Sequence, residues 1–241
     1  MTEKMYHLDA YARDFLAQVL ARDADHVLLA RTAFYPGGGG QPPDQGSLQW
    51  QATRRPVVGF RTSGDEVWHQ VAGEPPEPGQ EVQGEVEWQR RHQLMRTHTA
   101  MHILCGVVWR DYSAQVTGGN MEPLRGRMDF EFPRLSQDLV KEIESKVQDE
   151  VRADRRVVAR ILPREEAFQI PDLIRTKINL LPAGLQQVRV VEIVGLDLQA
   201  DGGTHVASTG EVGEVHIVDY KSKGASNKRL VLALGETGDG V

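Results

Sequence analysis

Two histidine-bearing pairs are the residues of this chain best suited to do chemistry. His98-Thr99-Ala100-Met101-His102 separates two imidazoles by four residues, a step that on a helix places them on one face with Cβ atoms about 5–6 Å apart. Asp201-Gly202-Gly203-Thr204-His205 repeats that spacing with a carboxylate and an imidazole. Its two glycines let the backbone turn tightly enough for both side chains to converge. Three imidazoles and a carboxylate form a nitrogen and oxygen set that tetrahedral Zn2+ accepts. Neutral histidines leave the ion's charge intact and one carboxylate lowers it to about +1, enough to polarise an ester carbonyl or help ionise bound water near neutral pH. Thr99 stands where a His-Glu-x-x-His metalloprotease carries its base, which disfavours peptide hydrolysis of that kind. Two readings of the set stay open: four permanent ligands would make the metal structural, whereas Asp201 could instead orient His205 or act as a general base while water fills the fourth position. Neither Ser113 nor Cys105 has a partner arrangement for covalent catalysis.

The elements that must position these pairs can be read outward from them. A proline-free segment from Gln89 to Asp111 carries Leu94, His98, Met101, His102, Cys105 and Val108 at three- and four-residue steps, predicting one long helix whose inward face includes both histidines. Cys105 reads there as a small core hydrophobe. Ser136 is the expected N-cap of a second helix with the apolar stripe Leu139, Val140, Ile143, Val147 and Val151, and a short helix is expected from Pro163. Segments 128–132, 188–194, 214–218 and 229–234 read as strands. The first 85 or so residues read as short β segments, punctuated by Gly37-Gly38-Gly39-Gly40, Pro42-Pro43, Ser63-Gly64-Asp65 and Pro75-Pro76-Glu77-Pro78-Gly79. A small barrel or sandwich suits them, with Pro75 to Gly79 as the candidate boundary, because closely spaced prolines continue neither helix nor central strand. Asp44 reads as a turn residue, and the tail from Gly235 to Val241 as frayed.

Lys and Arg total 28 against 34 Asp and Glu. The net charge of -6 does not advertise nucleic-acid binding, so a basic footprint must be local. Candidates are Arg90-Arg91 with Arg96, Arg125 with Arg127, Arg152 with Arg155-Arg156, and Lys221, Lys223, Lys228 and Arg229. No segment approaches the roughly 18 apolar residues of a membrane helix. The N-terminus lacks the basic region and apolar run of a secretory leader, and the single cysteine suits a reducing compartment. A cytoplasmic chain with no membrane association and no obligate protein partner is expected.

Three separated motifs resemble the alanyl-tRNA editing proteins, relatives of the editing domain of alanyl-tRNA synthetase. They are Phe34-Tyr35-Pro36-Gly37-Gly38-Gly39-Gly40-Gln41 with Asp44 and Gly46; Arg96-Thr97-His98-Thr99-Ala100-Met101-His102; and Gln199-Ala200-Asp201-Gly202-Gly203-Thr204-His205-Val206 running to Thr209-Gly210-Glu211-Val212-Gly213. The likeness continues through Val188-Arg189-Val190-Val191-Glu192-Ile193 and Lys228-Arg229, so it covers nearly the whole chain. The length is similar to that of the medium-sized type, which implies an α+β protein. A small N-terminal β-barrel domain with the glycine-rich loop, residues 1–85, would precede an α+β editing domain, residues 86–241, in which a long metal-bearing helix packs on an antiparallel sheet.

The resemblance further implies a zinc-dependent deacylase that removes serine, and in some members glycine, from alanine tRNA. It would edit in trans, because no aminoacylation domain fits beside the two parts. His98, His102 and His205 match the family's metal histidines, while Asp201 stands where the family commonly has cysteine. Asp201 keeps the charge of a thiolate but is a harder ligand, which implies easier metal exchange. Gln115 resembles a glutamine lining the amino-acid pocket, whose amide can bind a serine hydroxyl; Met101 departs from the threonine common in the synthetase branch. Gly39, Gly40 and Gln41 are expected at the tRNA terminus, Thr204 at a water or ester oxygen, and Arg229 with its basic neighbours at acceptor-end phosphates. Two rivals stand beside this reading: editing of a different mischarged tRNA, and a noncatalytic tRNA-binding module with a structural zinc.

Overall fold

A computed structural model describes residues 1–175, 184–224 and 226–235. The chain divides into two compact units, Met1–His92 and Gln93–Val241. In the first lie β1 (Glu3–Lys4), β2 (Asp14–Asp23), β3 (His26–Leu29), β4 (Arg31–Thr32), β5 (Gly46–Trp50), β6 (Thr53–Ser63), β7 (Glu66–Val71) and β8 (Glu81–Val86). Six of these close a barrel in the order β2-β3-β7-β6-β5-β8. Period-two alternation drives closure: Phe15, Ala17 and Val19 of β2 and Val82 and Val86 of β8 point inward, while Leu16 and Leu20 are exposed. Of the two architectures open to the N-terminal segments, the barrel is the one formed. The proline-rich stretch Pro75 to Gly79 is not a domain boundary, because β8 follows it and seals the barrel between β2 and β5. Its prolines instead occupy a connection outside the strands, where no ladder N–H is required.

Asp44 is more than a turn residue. It is buried, and with Tyr35 it clips the glycine loop shut: Tyr35 N donates to Asp44 Oδ2 at 2.6 Å and Asp44 N to Tyr35 O at 2.9 Å. The same carboxylate pairs with the fully buried Arg91, whose Nε donates to Asp44 Oδ1 at 2.8 Å. The remaining guanidinium nitrogens of Arg91 reach Ala33 O at 2.6 Å and Ala10 O at 2.9 Å. Inside the clip, Gly38 and Gln41 exchange backbone bonds of 3.1 and 2.9 Å across Gly39 and Gly40, both at positive φ, as a type I′ hairpin turn requires.

Helix α1 (Trp88–Tyr112) extends the expected helix by one residue at each end, and the division between units falls within it. After it come β9 (Val116–Glu122), β10 (Arg125–Glu131), α2 (Gln137–Arg152), β11 (Val157–Pro163), α3 (Arg164–Ala167), β12 (Gln187–Ile193), β13 (Asp197–Ala200), β14 (Val215–Ser222) and β15 (Asn227–Leu234). Strands β14-β15-β10-β9 form an antiparallel sheet, and β11-β12-β13 a second, smaller one. On the first sheet, Gly126, Met128 and Phe130 of β10 and Leu230, Leu232 and Leu234 of β15 turn one buried face inward. Helix α1 lies on that face, close enough that a Cβ at Gly126 would sit 2.8 Å from Met101 Sδ and 3.3 Å from Thr97 Cγ2. The architecture is therefore the expected α+β, with a long helix on an antiparallel sheet. Ser136 caps α2 as expected, accepting from Leu139 N at 3.2 Å, and Val140, Ile143, Val147 and Val151 bury its stripe. Residues 236–241 of the expected frayed tail lie outside the described residues. Among the described residues no helix is long and apolar enough to cross a membrane.

Candidate metal centre

Helix α1 delivers the first pair. Its four-residue step sets the His98 and His102 rings 5.0 Å apart, centroid to centroid, on the buried side of the helix. Strand β13 delivers the second: it ends at Ala200, and the extended chain beyond it carries Asp201 through Gly202-Gly203 to His205. Asp201 Oδ2 folds back to accept from Gly203 N at 2.8 Å, which fixes the turn. The His205 ring then stacks 4.2 Å from that of His98 and lies 4.7 Å from that of His102. Asp201 faces both, with Oδ1 at 3.5 Å from His98 Nε2 and Oδ2 at 3.0 Å from His205 Nε2. One potential ligand atom from each of His98, His102, Asp201 and His205 falls within 4.8 Å of the others.

The electrostatics suit a cation. Burial, reinforced by the neighbouring imidazoles and only partly opposed by the Asp201 charge, holds His98 well below its ordinary pKa, and burial pushes His205 down to about 4. Both are therefore neutral donors at physiological pH. Burial also opposes ionisation of Asp201, but His98 and the hydrogen bond from His205 outweigh it, and the carboxyl stays well below its usual range. At His102 burial disfavours the cation too; there the Asp197 hydrogen bond and the Asp201 charge win, and the pKa is raised. A buried group of three imidazoles and one carboxylate is the donor set Zn2+ accepts, so these residues fit the ion.

Two of the rings are braced from behind. Thr99 Oγ1 lies 3.1 Å from His205 Nδ1 and accepts from Val206 N at 3.3 Å. Asp197 Oδ2 lies 3.2 Å from His102 Nδ1. In His102 Nδ1 is thereby occupied and Nε2 left for a ligand, whereas His205 has Thr99 at Nδ1 and Asp201 at Nε2. Arg189 of β12 adds a third support, donating to the Asp201 carbonyl at 2.9 Å. Sequence reading missed all three supports. Thr99 was visible only as a missing base, and neither Asp197 nor Arg189 shares a spacing with the residue it serves.

The other expected site residues are placed within their own units. Thr204 is fully buried next to His205 in the chain. Gln115 is exposed just before β9, where its backbone carbonyl accepts from Glu131 N at 2.9 Å. Arg229 is gripped bidentately by Asp129 at 2.7 and 2.8 Å. Gly39, Gly40 and Gln41 belong to the first unit, Gly39 exposed and Gln41 buried. The expected basic clusters are thinner than their sequences suggest. Arg91 and Arg96 are buried, Arg96 donating to the carbonyls of Val212 at 3.0 Å and Gly235 at 2.7 Å, and Lys228 is buried against Gly224 O at 2.7 Å. Buried cations of this kind neutralise backbone dipoles and are shielded from external phosphates.

Two stretches of the chain match family models. Residues 2–90 match the class II (A) tRNA synthetases, and residues 188–231 the second additional domain of threonyl and alanyl tRNA synthetases. End to end, the chain is 34% identical to the alanyl-tRNA editing protein AlaX-M of Saccharolobus solfataricus, covering 95% of this chain and 98% of that one. It is also 34% identical to the AlaX-M protein of Methanosarcina barkeri, over 97% of this chain and 99% of the relative. Likeness to the alanine–tRNA ligase of Pyrobaculum neutrophilum, at 38%, covers 97% of this chain but 27% of the ligase. The chain belongs to the alanyl-tRNA editing protein family.

Proposed function

We propose that this protein hydrolyses, in trans, the ester that joins a wrongly attached amino acid to alanine tRNA. The observation that carries the proposal is the convergence of His98, His102, Asp201 and His205 in a chain that aligns with AlaX-M relatives over nearly their whole length. These four residues would hold Zn2+, which when bound supplies Lewis-acid charge for an acyl carbonyl or for water. Serine, and secondarily glycine, is the proposed misattached amino acid. The Gln115 amide would recognise the serine hydroxyl, and Thr204 would order the attacking water or the ester oxygen. Gly39, Gly40 and Gln41 would meet the tRNA terminus, and Arg229 the acceptor-end phosphates. An ester is already labile, so orientation and stabilisation of the oxyanion supply the rate without a protein nucleophile.

The test is deacylation of seryl-, glycyl- and alanyl-charged alanine tRNA by metal-depleted and zinc-restored protein. Loss and recovery of seryl-tRNA cleavage, with alanyl-tRNA spared, is the expected pattern. Cleavage of some other mischarged tRNA in its place would redirect the substrate assignment. One observation favours a second reading: Asp201 supplies a fourth donor, as in closed structural zinc sites. His98→Ala separates the two. A folded, tRNA-binding but inactive variant supports the enzyme; collapse of the fold together with the metal supports a structural zinc, and full retained activity removes the site assignment.

A further inference from the structure

Next to His102 a carboxylate and a guanidinium are buried with part of their hydrogen-bonding capacity unused among the described residues. Asp197, the first residue of β13, has a side chain with no exposure to solvent, and that of Arg175 is 11% exposed. Asp197 Oδ2 accepts from His102 Nδ1 at 3.2 Å and from Gln199 Nε2 at 2.7 Å. Asp197 Oδ1 has no hydrogen-bond partner among the described residues, and neither do Nε and Nη1 of Arg175. Nε of Arg175 lies 3.6 Å from that oxygen, Nη1 lies 3.8 Å from Asp172 Oδ2, and the guanidinium sits 4.7 Å from the centre of the Trp109 ring. Helix α1 reaches this spot only because it carries glycine there, since a Cβ at Gly106 would stand 3.1 Å from Asp197 Cβ and 2.9 Å from Leu196 Cγ.

Such an arrangement is costly for stability alone. A buried ion pair seldom outweighs the desolvation of its charges unless its hydrogen bonds are complete, and these are not. What the carboxylate does accomplish is directional. It occupies Nδ1 of His102, so the ring must present Nε2, and it draws the Nδ1 proton so that Nε2 becomes a stronger donor. Arg175, with no oxygen of Asp197 within hydrogen-bonding distance, acts through charge.

We infer that Asp197, hydrogen-bonded to His102 Nδ1 and backed by the neighbouring Arg175 guanidinium, is a positioning residue that fixes His102 in the Nδ1–H tautomer and strengthens its Nε2 as a metal ligand. The inference rests on the proposed reading of the His98, His102, Asp201 and His205 cluster as a zinc site. It assigns Asp197 no contact with metal or substrate.

The test uses the full chain with Asp197→Ala and Asp197→Asn, the latter nearly isosteric and able to accept the same hydrogen bond without charge. Zinc affinity is read by competition with a chromophoric chelator. The His102 tautomer is read by nitrogen-15 NMR of the metal-free protein, a property that a merely structural role would not move. Asp197→Ala is expected to weaken zinc binding by about 10- to 100-fold, the range typical of such outer-shell partners, and to mix the tautomers. Asp197→Asn should keep the tautomer and show a smaller loss. A folded Asp197→Ala protein with wild-type zinc affinity and an unchanged tautomer overturns the inference. If Asp197→Ala does not fold, wild-type affinity in Asp197→Asn overturns the charge effect. Failure of the wild-type protein to bind zinc would instead defeat the metal reading, and the tautomer would then judge Asp197 on its own.

Discussion

Thr99 lies between the two helix histidines, yet it serves the histidine of the other pair. Its hydroxyl faces His205 Nδ1 and accepts from the backbone N–H of Val206, a residue only 1% exposed. Thr99→Val keeps the shape and removes the oxygen, leaving that N–H buried without its partner. A stability loss of about 1–3 kcal/mol is expected in urea unfolding of the full chain, together with weaker zinc retention against a chelator. Arg91 and Asp44 present the opposite case, a buried pair whose hydrogen bonds are nearly complete. Asp44→Ala should destabilise by about 3–5 kcal/mol, because it strands a guanidinium in the interior. Neither role can be read from spacing. Thr99 looked like the absence of a base and Asp44 like a turn former, since their partners, His205 and Arg91, are distant in the chain.

Elements add constraints that single residues do not show. Alanine is normally the better helix former by about 1 kcal/mol, but at Gly106 of α1 its methyl would enter the space of Leu196 and Asp197. Gly106→Ala is therefore expected to lower the unfolding midpoint and to weaken zinc binding, and a raised midpoint would count against this packing. In the barrel, His69 of β7 has no solvent exposure, lies 2.8 Å from Thr32 Oγ1 through Nε2, and has its pKa pushed down to about 4 by burial. The unfolded chain takes up this proton near pH 6.5, while the folded barrel resists it until about 4. Its contribution is thus present above pH 6.5 and lost as the pH falls toward 4, amounting to about 3 kcal/mol at 1.36 kcal/mol per pH unit. His69→Gln should flatten the stability profile across that window, as followed by unfolding at a series of pH values. Helix α1, α2 and the inner strands were readable because their apolar periods are long and regular. Strands β9, β11 and β13 were not, since Gly118-Gly119 interrupts the first, Arg160 and Pro163 break the pattern of the second, and the third has only four residues.

At the scale of the whole molecule, charge sets the terms on which a polyanion can bind. The net charge is -6, and several cations that look like a footprint in the sequence, Arg91, Arg96 and Lys228 among them, are occupied inside the fold. Affinity for tRNA should therefore be weak and salt-dependent, carried by exposed cations such as Arg125, Lys221 and Lys223. Raising salt from about 50 to 200 mM is expected to lower tRNA affinity in a filter-binding assay, with a slope set by the number of phosphates contacted. Charge reversal at Arg91 or Arg96 would unfold the protein before it reported on tRNA.

The amino-acid sequence by itself determined the class of the protein and the four residues that meet at its centre, because a ligand pair four residues apart is a local pattern and the flanking motifs are contiguous. Tertiary structure alone decided which atoms those residues present. The tautomer of His102, the bracing of His205 and the burial of Arg91 each depend on a partner brought near by folding. The underlying reason is range: spacing along a chain encodes contacts within one element, whereas a hydrogen bond across elements exists only after the core has packed.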